Sequence, residues 1–410
     1  MKHILLAHTF FIMSECNTAN SLPIIPGTNL ENIIGTKTDT EALRQKHIKV
    51  CQNNGFTLLK YDKDQLTEDN TASLGRIRSV ILQDDDLVSF APIKSMPKSQ
   101  YMNLGPGSHV VEEFIDGTMI NCFYDKRRRQ WEYATRSVVG ADTQFFDESD
   151  MGWSLSFKKM FRDTFSNSQL RWDMFNREYC YSFVLQHPRN RIVVPVQRPT
   201  LWLIEVYDLS NRRVRLVDTS AECFRELLNH VRTPYVHMVF ETATPEDYEA
   251  AFGTFIDELE KRPQDHRKMG FVVRSGLVRY KFRYPAYEYV KRLRGNNSKL
   301  QYQYYSLRKT GTVKEFLKYF PEYRWRFAQF RDVLHEFTNH LWNNYMLCFV
   351  HHQLQFNRFP AHFRRHMFAL HDIYLQELLP RKWHIDQRIV IDYVNSRHPS
   401  DLLHTINHHS

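Results

Sequence analysis

The chain has 410 residues, enough for two or three domains that each bury a sizeable core. Its six cysteines (Cys16, Cys51, Cys122, Cys180, Cys223, Cys348) lie scattered without a CxxC pair, which argues against a disulfide framework or a zinc knuckle and for a reducing compartment. A net charge of +9 with 14% aromatic residues suits a polyanion such as RNA or DNA, because cations release condensed counterions and rings stack on bases; a soluble protein with a positive surface is the plainer reading of the same composition.

The opening MKHILLAHTFFIMSEC has the basic start, apolar stretch and small residues of a short signal peptide, but His8 and Thr9 interrupt the apolar stretch, so a first buried element is expected instead. Residues 17–40 are a loop rich in Asn, Thr, Pro and Gly, and 41–53 a helix. From residue 75 to about 195 the texture is β. Strands are expected over 77–82 and 87–93 around the turn Asp84-Asp85-Asp86, then over 110–115, 118–124 and 131–137, with Lys126 to Arg129 at a turn. Helical spacing marks 154–165 and 169–176; strands follow at 181–186, 191–196 and 201–209. Helices are expected over 221–231 and over 245–261, the second capped by Thr244 with Pro245 in its first turn. Strands at 270–274 and 276–282 end the β region. Beyond Pro285 the pattern is helical, with segments 313–319, 323–351, 362–378 and 386–396 separated by Pro321, Pro360, Pro380 and Pro399. From about residue 260 onward, Lys and Arg outnumber Asp and Glu by roughly two to one. No apolar run approaches the roughly 18 residues of a membrane span.

Residues 110–124, VVEEFIDGTMINCFY, place an apolar strand before Asp116-Gly117 and an alternating strand after it. This segment heads an ordered series that resembles the phage-type RNA ligases of the covalent nucleotidyltransferase superfamily over roughly residues 74–294. LGRIRSVIL and FAPIKSMP stand where the family has an Arg-Gly strand and Lys-Phe-Phe-Asn, matching Arg78 and Lys94 to its basic contacts. FIDG stands at Lys-x-Asp-Gly, and YATRSVVGA resembles a basic Ser-Lys-Gly-Ser element with Arg136 as the cation. In YSFVLQHPRNRIVVPV, Pro188, Asn190, Arg191, Ile192 and Val193 match the end of the third motif. GFVVR resembles the fourth motif and YKFRYPAYEYV the fifth, with Lys281 and Arg283 at the two phosphate-gripping cations. The YSFVLQHP and YVKRLRGN segments also resemble ligase-like proteins of large DNA viruses, iridovirus early proteins among them.

The resemblance implies an α+β, antiparallel-sheet nucleotidyltransferase-like domain followed by an all-α domain. Its expected divisions are an N-terminal extension at 1–73, the ligase-like domain at 74–294 and the helical domain at 295–410. In such a site a lysine attacks the nucleotide α-phosphate, which requires neighbouring cations and a metal to depress its pKa. Here the nucleophile position holds Phe114, the third-motif acid position Val184 and the fourth-motif Glu position Met269. Covalent chemistry is therefore expected to be lost and no metal retained, while Arg78, Lys94, Asp116, Gly117, Arg136, Lys281 and Arg283 keep a phosphate-binding site. The alternative is an active ATP- and Mg-dependent ligase whose nucleophile is displaced, for example to Lys94. A one-residue register slip would bring Glu112 and Glu113 to a metal, at the cost of turning every side chain of the strand over. The third reading is a protein-interaction or early regulatory role for the helical domain. RNA is the expected partner, with no membrane and a cytoplasmic setting in a host cell.

Other constellations carry less. Asp84 to Asp86 reads as a solvated turn before a metal site. His362 and His366, in HFRRH, have two-ligand spacing, but no Glu follows the first histidine, so packing or basic roles are expected; the same holds for His335, His340, His351, His352 and His371. Tyr302, Tyr304 and Tyr305 near Arg308 read as core before base-stacking platform. Walker and dinucleotide-binding glycine patterns are missing from the sequence.

Overall fold

The computed structural model describes Leu30, Ile34, Gly35 and residues 39–104, 107–145, 155–260 and 265–407. The signal-like opening, most of the 17–40 loop, Cys16 and the His408-His409 tail lie outside the described residues. The helix expected over 41–53 stops early. Asp39 caps α1 (Thr40–Gln45) by accepting from the Glu41 and Ala42 N–H groups, and the chain turns at His47 (φ +61°) into strand β1 (Ile48–Asn53). β1 pairs with β2 (Phe56–Tyr61) across Asn54-Gly55, whose φ values of +52° and +81° give the left-handed pair that a two-residue hairpin needs. The Asp84-Asp85 turn does the same (φ +49° and +67°) between β3 (Val80–Gln83) and β4 (Asp86–Phe90). These four strands form one sheet in the order β1-β2-β3-β4. The division expected at residue 73 thus falls inside a sheet.

β5 (Gly107–Glu113) and β6 (Thr118–Asp125) follow each other closely in sequence yet belong to different sheets. β5 lies between β11 (Val236–Thr242) and β12 (Gly270–Ser275), with β13 (Val278–Arg283) beyond. β6 lies between β7 (Gln130–Ala134) and β8 (Tyr179–Gln186), and β9 (Thr200–Asp208) and β10 (Arg215–Leu216) complete five strands. All pairings between these strands are antiparallel. Alternation along each strand sorts its side chains. On β8, Tyr181, Phe183 and Leu185 pack with Phe161 and Phe165 of α2 (Phe157–Asn167), while Val184 faces the other way. On β13, Val278, Tyr280 and Phe282 join the core shared with the first sheet, which leaves Arg279, Lys281 and Arg283 on the opposite face.

Three further expected elements differ, and one strand was not expected. Residues 191–196 form no strand, because Pro195 interrupts them and a buried carboxylate takes the Val193 and Val194 N–H groups. Residues 169–176 hold a single 3-10 turn, Trp172–Met174, and 221–231 a short helix, Arg225–Leu228. β11 was not anticipated: six of its seven side chains are exposed or half-exposed, so its apolar pattern is weak. The helix expected at 245–261 forms as α3 (Pro245–Glu260), with the Thr244 hydroxyl accepting from Asp247 N–H.

The chain then becomes helical, as expected: α4 (Pro285–Arg294), α5 (Leu300–Lys309), α6 (Val313–Tyr319), α7 (Arg324–Tyr345), α8 (Ala361–Ile373), α9 (Gln387–Ser396) and α10 (Pro399–Asn407). Tyr304 and Tyr305 are core residues of this region, and α4 packs there too through Tyr287 and Val290. The protein is therefore α+β, antiparallel sheets followed by an all-α region. No helix among the described residues is long and apolar enough to cross a membrane.

Candidate anion-binding cleft

The crossing from the sheet of β5 to the sheet of β6, residues 114–117, is held by three different devices. Phe114 N–H donates to the Gly270 carbonyl at 3.0 Å, extending the β5–β12 ladder by one residue. Asp116 is buried, and its carboxylate accepts from Val193 and Val194 N–H, both at 2.9 Å, and from the Tyr287 hydroxyl at 2.7 Å. Gly117 lies so close to β8 that a Cβ there would stand 2.6 Å from the Leu185 carbonyl oxygen, so only glycine fits. Asp116 and Gly117, expected at the phosphates, are thus structural: they join β5, β8, the 193–194 loop and α4, and neither lines the cleft.

Between the sheets opens a cavity of about 360 Å³. Arg78, Lys94, Arg136, Lys281 and Arg283, drawn from five separate stretches or strand positions, all line it, together with Phe114 and Val184. Met269 does not. It precedes β12, where its carbonyl accepts from Tyr284 N–H as the chain turns toward the helices, and its side chain is buried in the helical core. Arg279 and Lys63 bring the cations to seven, against two carboxylates, Glu112 and Glu113. Arg279 was missed although strand alternation puts it on the face of Lys281 and Arg283; Lys63, Tyr61, Met119, Ile204 and Val272 carry no local signal that assigns them to a site.

The cations are held in place mainly by rings and carbonyls. Arg136 lies over the Tyr61 ring at 4.5 Å and Arg283 over the Phe114 ring at 5.5 Å. Arg78 donates to the Pro92 carbonyl at 3.2 Å, and Arg283 also pairs with Glu288 at 2.7 Å. The Nε atoms of Arg136, Arg279 and Arg283 are buried without an acceptor. Burial, and then Arg283, Lys94, Arg78 and Lys291, push the Lys281 ammonium down to about 7. Burial lowers Lys94 as well, with Arg78, Arg283 and Arg136 adding to the effect. Like charges compressed into a half-buried cleft leave a strong attraction for an anion.

A divalent cation does not fit the donors present. Val184, one of the two residues matched to the family's acids, lines the cleft without a donor, Met269, the other, lies outside it, and Glu112 is paired with Arg274 at 3.1 Å while burial drives its carboxyl upward. Glu112 thus offers no rescue, and Glu113 stands alone. Among the described residues no group of three His, Cys, Asp or Glu side chains is arranged to hold a metal. His366 is buried between the Tyr393 and Thr405 hydroxyls at 2.8 and 3.1 Å, and burial pulls its pKa to about 4. The remaining motif residues face elsewhere. Asn190 donates to the Thr118 hydroxyl at 2.8 Å; Arg191 pairs with Glu322 at 2.9 Å and donates to the Tyr319 carbonyl at 2.8 Å, tying this loop to the helical region. At the 126–129 turn, Lys126 pairs with Glu178 at 2.7 Å and Arg127 with Asp84.

No family model matches the chain. Over 120 residues it is 27% identical to an RNA ligase of Rhodothermus phage RM378. In sequence, then, the chain resembles a phage RNA ligase. The match takes in 28% of this chain and 26% of that protein, so the chain spans about a quarter of its relative's length. Overlaps with solved structures are loose. A putative ATP-dependent DNA ligase from Aquifex aeolicus aligns at 14% identity with a TM-score of 0.35, covering 82% of this chain and 79% of that one. An archaeal ATP-dependent RNA ligase aligns at 14% and 0.36, covering 71% of each, and an RNA ligase of Naegleria gruberi at 12% and 0.34, covering 55% and 68%.

Proposed function

We propose that this chain is a ligase-derived RNA- or nucleotide-binding protein that has lost covalent adenylation, acting in the cytoplasm of a cell infected by a large DNA virus. The observation that carries this reading is Phe114: the residue at the lysine position lines the cleft, and its ring lies under the Arg283 guanidinium. A phenyl ring cannot attack phosphorus, whereas Arg78, Lys94, Arg136, Lys281 and Arg283 remain able to pair with phosphate oxygens. The viral setting rests on motif resemblance.

The test is to incubate the protein with α-labelled ATP and a divalent metal, then denature it. No retained label is the expected result. Retained label overturns the reading and favours the second one, an active ATP-dependent RNA ligase with a displaced amine. Lys94, and also Lys281, which stands partly uncharged near neutral pH, supply the candidates for that amine. A protein-contact role for the helical region is supported by its exposed Phe368, Leu375, Leu379 and Trp383. It replaces the first reading if RNA and nucleotides fail to bind even at low salt.

A further inference from the structure

We propose that the cleft holds the polyphosphate group of its ligand without a divalent cation, its arginines and lysines supplying the neutralisation for which the resembled ligases use a metal. This rests on the anion-binding reading above and adds to it the ligand class, a terminal polyphosphate, and the way it is held.

Three observations carry the inference. First, the carboxylates that a hard cation requires are scarce: Val184 in the cleft carries none, Glu112 belongs to Arg274, and Glu113 is the one carboxylate left among the described lining residues. A dication entering the cleft would also meet the seven basic side chains that line it. Second, the buried Nε groups of Arg136, Arg279 and Arg283 lack acceptors, and Arg279 is only 6% exposed. Buried donors without partners are costly, and an anion in the cleft offsets that cost through the charge of each guanidinium as a whole; Arg279 has in addition Glu205 at 4.0 Å. Third, the charge is dense for the space. A cavity of about 360 Å³ has room for about one nucleotide, hence for one phosphate of a continuing strand, whereas a terminal triphosphate brings several negative charges into the same volume.

Titration supports the arrangement. Lys281 faces Arg279 and Arg283 on its own strand, Lys94, Arg78 and Arg136 from the neighbouring segments, Lys291 on α4, and Glu112 and Glu113 on β5. The cations outnumber the acids around it, so an anion entering the cleft restores its proton.

A nucleoside triphosphate and the 5′-triphosphate end of an RNA share this chemistry. The experiment measures equilibrium binding of ATP, and of one RNA oligomer carrying either a 5′-triphosphate or a 5′-hydroxyl, to the full chain in EDTA and in saturating Mg²⁺. Triphosphate binding is expected to persist in EDTA and to weaken about tenfold when Mg²⁺ halves the ligand charge, with the 5′-hydroxyl RNA the weakest ligand. Binding by ATP alone assigns the free nucleotide as the source, and binding by the RNA triphosphate assigns the RNA end; either result supports the inference. Triphosphate binding that requires or is strengthened by Mg²⁺ overturns it and leaves the anion-binding reading standing. Failure of every ligand in both conditions removes both.

Discussion

In the cleft, seven basic side chains gather around two carboxylates; in the helical region, cations are spread out among acids, rings and solvent. Lys281 lines a cavity beside Arg78, Lys94 and Arg283, and its proton is loosened as a result. Across the helices, Arg365 is tied to Asp401 at 2.6 Å, Arg331 to Asp332 at 2.8 Å, and Arg397 lies over the Tyr393 ring at 4.4 Å. The helical region carries much of the chain's surplus charge, yet the cleft is where basic side chains are concentrated, seven against two carboxylates. Electrostatic attraction for a ligand depends on how charges are arranged in a low-dielectric space, and a count over a stretch of sequence does not report it.

That contrast can be tested from its frame outward. Asp116→Ala removes the acceptor of two backbone N–H groups and of the Tyr287 hydroxyl, so a loss of about 3–5 kcal/mol in chemical denaturation is expected. A loss under about 1 kcal/mol would show that the joint holding the cleft to α4 is unimportant. Next come the cleft cations. Lys281→Ala, Arg283→Ala and Arg136→Ala should each weaken RNA or nucleotide binding about tenfold and lower the salt slope by about one, while Arg388→Ala on the exposed face of α9 should leave both unchanged. Equal effects at both places would erase the distinction between the regions.

Proton linkage gives a smaller effect. Lys281 is held near 7 against its ordinary 10.5, so the unfolded chain binds more protons between these values and stability should rise with pH across that window. Anion affinity should move the opposite way, falling several-fold as pH rises from about 6 to 9, because the ligand prefers the charged amine. Lys281→Arg should flatten that profile; an unflattened profile points to another titrating group. Smallest of all, Lys126→Ala should change stability by less than about 0.5 kcal/mol and leave binding intact, since its pair with Glu178 is exposed.

Much of this molecule was legible along the chain. Alternation in VRYKFR set Lys281 and Arg283 on one face, and glycine and proline punctuation marked the change from sheets to helices at Pro285. By the same alternation Arg279 was legible and was overlooked. The Asn54-Gly55 hairpin was also available, hidden because residues 41–53 have helical spacing as well. The positions of Asp116 and Met269 were not available. Motif order places both beside the phosphates, and only the packing of α4 and the 193–194 loop turns the first into a joint and buries the second among helices.

The sequence by itself determined most of the strands and helices and which charges strands such as β13 present, because backbone periodicity and turn chemistry act over a few residues. The tertiary structure alone decided that β5 and β6 separate into different sheets and that the cations of distant segments share one half-buried space. That decision depends on long-range packing. It is also what gives Lys281 and its neighbours their chemistry, since the energy of a charge is set by the dielectric and the other charges around it.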